Sequence, residues 1–240
     1  VCSSDLVQPN DDFGCDMNDL SDPAIDVYDN AMFIIALDYL LEMAPDSPQA
    51  SRWKSLREGI ERNVRAHLWD EKRQKFIPHI YPEKSPIPEG FDELAIHYHG
   101  GTAIAIEAGL LSKDEIRTVN AQMLENVRLS GMPSIGLTLY PVYPDGFFHG
   151  GMSKAYLYQN GGDWTWFGGR MIQQLVVNGM VEEAYAEIHP MIERVIQNDG
   201  FYEWYGKGGV PSGSGNFKGS AGVLSKAIEL LRDWAEKNKS

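Results

Sequence analysis

Side chains with chemical potential gather in three places. The stretch Tyr158-Gln159-Asn160-Gly161-Gly162-Asp163-Trp164-Thr165-Trp166-Phe167-Gly168-Gly169 sets amides, a carboxylate and two indoles between pairs of glycines. Flat indole faces beside fixed amides and a carboxylate suit a sugar ring, which offers a C–H face to an aromatic and hydroxyls to polar groups. Tyr202-Glu203-Trp204-Tyr205 places one acid among three aromatics in an otherwise Gly-rich loop, an unusual setting for a carboxylate that is merely solvated. Asp26-Val27-Tyr28-Asp29-Asn30 holds two acids at the start of an apolar run. An acid there also has an ordinary role, stabilising the positive end of a helix dipole.

Each group has its own limits. Gln159 and Asn160 suit hydroxyl binding or loop holding rather than proton transfer, because neutral amides lack a useful pKa. Asp163 either caps the following helix or binds a hydroxyl. Trp164 and Trp166 stand two residues apart and point in different directions, so one is expected to pack in the core. His97 and His99 have the wrong spacing for a shared helix face, and no cluster of Cys and acids completes a metal site around them. The Gly-rich stretch 206–215 lacks the Gly-Lys-Ser/Thr ending and the preceding buried strand of a phosphate-binding loop. The reading therefore calls for no metal and no cofactor.

Composition narrows the partners. A formal charge of -13, with only 21 Lys and Arg in 240 residues, repels phosphate backbones and anionic membranes, so nucleic acid and membrane surfaces are not expected partners. No run of 18 apolar residues is present to form a transmembrane helix. Cys2 and Cys15 are too few for a disulfide framework or a cysteine metal site.

The elements that must position these groups are helices. Over 28–44 the apolar residues cover most of the helical circumference, which predicts an inner helix buried nearly all round. Ser47-Pro48 reads as an N-cap with Pro at the first helical position, opening a helix to about residue 68 with one apolar stripe, an outer helix. The pattern recurs. Inner helices are predicted at 101–108, 166–177 and 221–235, and outer helices from Ser112, with Glu115 completing a capping box, and at 182–196. Short turns join inner to outer helices and long stretches join outer back to inner, so the long loops fall at one end, above the N-termini of the inner helices. Those loops hold Phe76, His79, Tyr81, Tyr140, Tyr143, Phe147, Phe148 and His149 besides the three groups above. Short β segments are expected within them at 75–80, 138–143 and 201–205. The fold class is all-α, a partial (α/α)6 toroid with short β segments in its loops.

At 158–169 and 199–205 the sequence resembles the six-hairpin (α/α)6 glycoside hydrolases, and most closely the neutral invertase, trehalase and processing α-glucosidase families. Asn160-Gly161-Gly162 also echoes the glycoside phosphorylases. The resemblance covers most of 25–234, weakly in the helices and better in three loops. It implies an inverting glycosidase acting on an α-glucoside or related oligosaccharide. The family's aromatic-Glu-aromatic-aromatic segment falls on Tyr202-Glu203-Trp204-Tyr205 and implies that Glu203 is the general base. Aligning Phe33-Ile34-Ile35 with the corresponding invertase helix implies that Asp29 is the general acid. A Gly-containing motif common around that acid is absent here, so Asp26, or an acid in a preceding segment, is the alternative. The resemblance also implies sugar contacts from Tyr28, Asn30, Gln159, Asn160, Asp163, Trp164, Trp166, Tyr202, Trp204 and Tyr205. A sugar epimerase using His99, and a carbohydrate-binding protein without catalysis, are the rival readings.

Residues 1–6 have neither an initiator Met nor a signal-peptide layout and resemble translated adapter sequence. The expectation for 7–240 is the C-terminal part of a single (α/α)6 catalytic domain whose preceding part holds further helices.

Overall fold

A computed structural model describes residues 24–82, 84–148 and 152–239. The readings of residues 1–6, Cys2, Cys15 and His149 fall outside them. Seven helices are seen among the described residues: α1 (Val27–Met43), α2 (Ala50–His67), α3 (His99–Glu107), α4 (Lys113–Ser130), α5 (Thr165–Val177), α6 (Val181–Gln197) and α7 (Lys218–Lys237). Helices α1, α3, α5 and α7 pack side by side as an inner row, and α2 and α6 lie against α1 and α5 from outside. This is the alternation of a partial (α/α) toroid.

Local chemistry accounts for most of the boundaries. Asp26 caps α1, its Oδ1 accepting from the Asp29 N–H at 2.8 Å. Ser112 and Glu115 form the expected capping box at α4. Ser47 holds the turn that leads into α2, its Oγ accepting from the Gln49 N–H at 3.2 Å and its carbonyl from the Ala50 N–H at 2.9 Å, while the regular helix starts later than expected, at Ala50 with Gln49 at the cap position. A correction concerns α1. It buries Val27, Ala31, Ile34 and Leu37, but Phe33, Leu40 and Met43 are exposed, Met43 at 74%. Helices α2 and α3 cover one side of α1, and no described element covers the other.

Three two-stranded ribbons lie in the long connections; one strand of each falls in an expected segment (75–80, 138–143 and 201–205), and its partner strand was not expected. β1 (Trp69–Asp70) pairs with β2 (Lys75–Phe76), β3 (His97–Tyr98) with β4 (Leu139–Tyr140), and β5 (Trp204–Tyr205) with β6 (Pro211–Ser212). Further bridges join Ile25 to Ile80, Leu137 to Asp163 and Asp163 to Tyr205. The long connections are thus knitted to one another at the end where the inner helices begin.

Between the outer helices lies a buried carboxyl. Glu187 of α6 is 7% exposed, and its Oε1 accepts from Asn120 Nδ2 of α4 at 2.7 Å. Glu187 Oε2 and Asn120 Oδ1 have no partner among the described residues. Burial, with a smaller push from Glu183, raises the carboxyl to about 7 against the lowering hydrogen bond from Asn120. A raised carboxyl pKa means the folded state keeps its proton where the unfolded state has lost it. Stability therefore falls as pH rises from the unfolded value towards about 7, and the penalty is complete above it. Glu187→Gln keeps the acceptor oxygen and removes the charge. It is expected to be more stable than the wild type by about 2 kcal/mol at pH 8 and nearly equal to it at pH 4, measured by urea unfolding.

Candidate active site

The first turn of α5 is the meeting point of the three chemical groups. Tyr28, in the first turn of α1, sets its ring edge-on to Phe167 with centroids 6.1 Å apart. Phe217, just before α7, lies edge-on to Trp164 at 6.1 Å, and its N–H donates to the Phe201 carbonyl at 2.8 Å. Trp204 meets the Tyr158 ring edge-on at 6.3 Å. The start of α1, the 156–164 loop and the 198–217 loop therefore surround the N-terminus of α5.

Burial divides the expected site residues into two sets. Tyr28, Asp29, Gln159, Trp166, Tyr202, Glu203 and Trp204 are half-buried, with part of each side chain open to solvent. Asp26, Asn30, Asn160, Asp163, Trp164 and Tyr205 are buried. Asp26 is the cap of α1, and Asn30 Nδ2 donates back to its carbonyl at 2.7 Å. Asn160 spans the Tyr143 peptide, accepting from its N–H at 2.9 Å and donating to its carbonyl at 3.2 Å, so it holds the loop. Trp164 is the indole of the pair that packs in the core, its Nε1 donating to the Tyr158 carbonyl at 3.1 Å.

Asp163 neither caps α5 nor meets solvent. At 0% exposure it forms an ion pair with Arg194 Nη1 at 2.7 Å and accepts from Ser134 Oγ at 2.7 and 2.8 Å. Arg194 Nη2 donates to Thr165 Oγ1 at 2.7 Å, and the guanidinium carbon lies 4.0 Å from the centroid of the Tyr205 ring. The Asp163 and Tyr205 peptides also exchange two hydrogen bonds, at 2.8 and 2.9 Å. A buried charge pair thus ties α6 and the start of α5 to the strand that follows Glu203.

The sequence reading missed other members of this end. Glu93 Oε1 accepts from the hydroxyls of Tyr81 at 2.7 Å and Tyr143 at 2.6 Å and lies 2.7 Å from His79 Nδ1. Burial pushes the Glu93 carboxyl up, but His79 and the two hydroxyls together hold it below the usual range. The loop aromatics therefore extend the core around an ionised acid: Tyr143 stacks on Phe147 at 4.9 Å and meets Phe148 edge-on at 4.9 Å. Arg170 was missed as well. It forks Nε and Nη2 onto Glu107 at 3.2 and 3.3 Å and lies over the Trp166 ring at 4.6 Å. Burial raises the Tyr28 phenol, the nearby Arg170 charge lowers it in part, and the neighbouring Asp29 raises it further. Tyr28 therefore stays protonated beside Asp29 at neutral pH.

His99 is 3% exposed and contacts Asn126 through Nε2 at 2.9 Å. Burial, with the His97 charge, depresses it to about 3, and burial with Lys75 depresses His97 to about 4. Both imidazoles are neutral near pH 7, and His99 sits beneath the surface, which argues against an acid–base role for it. No metal-holding group of His, Cys, Asp and Glu occurs among the described residues.

The fold, with its loops gathered over the inner-helix N-termini, is that of a partial (α/α) toroid. Solved structures share it. A GH63 mannosylglycerate hydrolase from Thermus thermophilus, in complex with Tris and D-glycerate, superposes at a TM-score of 0.61 and 17% identity over 88% of this chain and 46% of its own. The same enzyme in complex with glucose superposes at 0.58 and 16% identity, over 88% of this chain and 48% of its own. An uncharacterized conserved protein of the same organism matches at 0.61 and 17% identity over 88% and 47%. The chain spans about half the length of the structures it matches. No family model and no curated protein matches the sequence.

Proposed function

We propose that this chain carries part of the catalytic domain of a glycoside hydrolase, which cleaves an α-glucoside or related oligosaccharide with inversion. Glu203 is the general base and Asp29 the general acid. The carrying observation is that these two carboxylates stay half-buried at the loop end of a glycosidase-type toroid, whereas Asp26 and Asp163 are enclosed. Inversion requires one carboxyl to protonate the leaving oxygen while the other activates water from the opposite face, at a separation of roughly 6.5 to 9.5 Å. Asp29, in α1, and Glu203, just before β5, belong to different elements, as two acids acting from opposite faces must. Trp166, Trp204 and Tyr202 supply aromatic faces, and Gln159 an amide, for the sugar.

The role of preceding helices in completing the ring belongs to the same proposal, supported by the half-length match and by the side of α1 that no described residue covers. The test is a panel of sucrose, trehalose, α-glucosides and mannosylglycerate, with the product anomer read by NMR in the first minutes. Release of the inverted anomer is expected. A product of retained configuration would overturn the assignment of Glu203 as base.

A further inference from the structure

The Glu203 carboxylate rests across a narrow hairpin from residue 213. The Glu203 N–H donates to the Ser214 carbonyl at 2.9 Å, and the Ser214 N–H returns a bond to Glu203 Oε2 at 3.2 Å. Between these contacts stands Gly213, with φ at +70°. A Cβ built on Gly213 would collide with Glu203 Oε2, stand 2.8 Å from Glu203 Cβ and 3.1 Å from Cδ. Because the Glu203 Cβ is itself within the collision, turning the carboxylate aside does not relieve it. The whole side chain, or the hairpin, has to move.

We infer that Gly213 is a positioning residue for Glu203: the missing side chain leaves the space in which the carboxylate reaches the Ser214 N–H. The inference rests on the reading of Glu203 as general base. Gly213 itself is exposed, and the three atoms nearest to a built Cβ all belong to Glu203, so substitution there acts on the hairpin. The same hairpin supplies the control. Gly209 has φ at +74° and nothing within 4 Å of a built Cβ. Alanine at 209 therefore carries the left-handed backbone strain of an L-residue without the collision.

The experiment compares Gly213→Ala, Gly209→Ala and Glu203→Gln in the full 240-residue chain. The first readout is the Ser214 amide resonance in 15N-labelled protein, followed as a function of pH. In the wild type and Gly209→Ala it is expected to titrate with the Glu203 carboxyl, and in Gly213→Ala and Glu203→Gln to lose that titration. The second readout is turnover of the panel member that the wild type cleaves. Gly213→Ala is expected to lose about tenfold or more in kcat with KM unchanged, the effect of misplacing a catalytic group, while Gly209→Ala stays within about twofold. Equal melting temperatures for the two alanine variants separate this from unfolding.

A Ser214 amide that titrates in Gly213→Ala as in the wild type overturns the inference. So does an unchanged kcat in a Gly213→Ala variant that has lost the titration. If Glu203→Gln is as active as the wild type, or the wild type cleaves nothing, the general-base reading is what fails, and the amide titration alone then decides whether Gly213 places the carboxylate.

Discussion

Glu203→Gln is expected to lower turnover at least about a hundredfold, the lower end of general-base contributions, with glycan binding largely kept. The substitution is nearly isosteric, and the remaining amide oxygen can still accept from the Ser214 N–H that holds the carboxylate at 3.2 Å. Loop position and the sugar contacts proposed for Tyr202 and Trp204 are therefore expected to be retained, while the group proposed to take a proton from water is gone, since an amide has no useful basicity in this range. Separate measurement of kcat and of glycan affinity by calorimetry checks this. Equal turnover in variant and wild type would remove Glu203 from the mechanism. Turnover in neither form, with binding intact in both, would favour the carbohydrate-binding reading.

Periodicity made the helices legible, because burying one face of a helix forces apolar residues into a repeat of 3.6. It located all seven, and the capping box at Ser112 and Glu115 fixed the start of α4. The starts of α2 and α7 were less legible: the turn at Ser47 and Pro48 delays regular α2 to Ala50, and α7 begins at Lys218, before its apolar pattern does. The circumference of α1 misled for another reason. An apolar helix surface states that something covers it, and among the described residues α2 and α3 cover only one side.

The site was legible in its clustering and much less so in its roles. Asp163 and Asn160 sit in the polar stretch that drew attention to the loop, yet they spend their hydrogen bonds on Arg194, Ser134 and the Tyr143 peptide. Those partners lie 29 residues or more from Asp163 and 17 from Asn160 in sequence, beyond any local pattern. One signal did exist. Ala184, Ile188 and Met191 form the buried stripe of α6, and Glu187 and Arg194 fall on it at helical spacing. A charge on an apolar stripe requires a buried partner, and here the partners are Asn120 and Asp163. Glu93 gave no such signal, because its connection has no periodicity against which a buried acid would stand out.

Arg194→Met is expected to destabilise the protein by about 3 to 5 kcal/mol, the usual effect of leaving one member of a buried ion pair alone. Asp163, at 0% exposure, would keep Ser134 as a donor but lose the only cation that pairs with it among the described residues. Methionine fills much of the space without replacing the hydrogen bond to Thr165 Oγ1 or the cation over the Tyr205 ring. The strand after Glu203 would then be held to Asp163 by backbone bonds alone. Adding Asp163→Asn removes the stranded charge, so the double variant is expected to regain part of the loss, because replacing both partners costs less than orphaning one. Urea unfolding of the two single variants and the double gives the coupling directly. A loss below about 1 kcal/mol for Arg194→Met, the scale of an exposed pair, would show that this network does not anchor the loop.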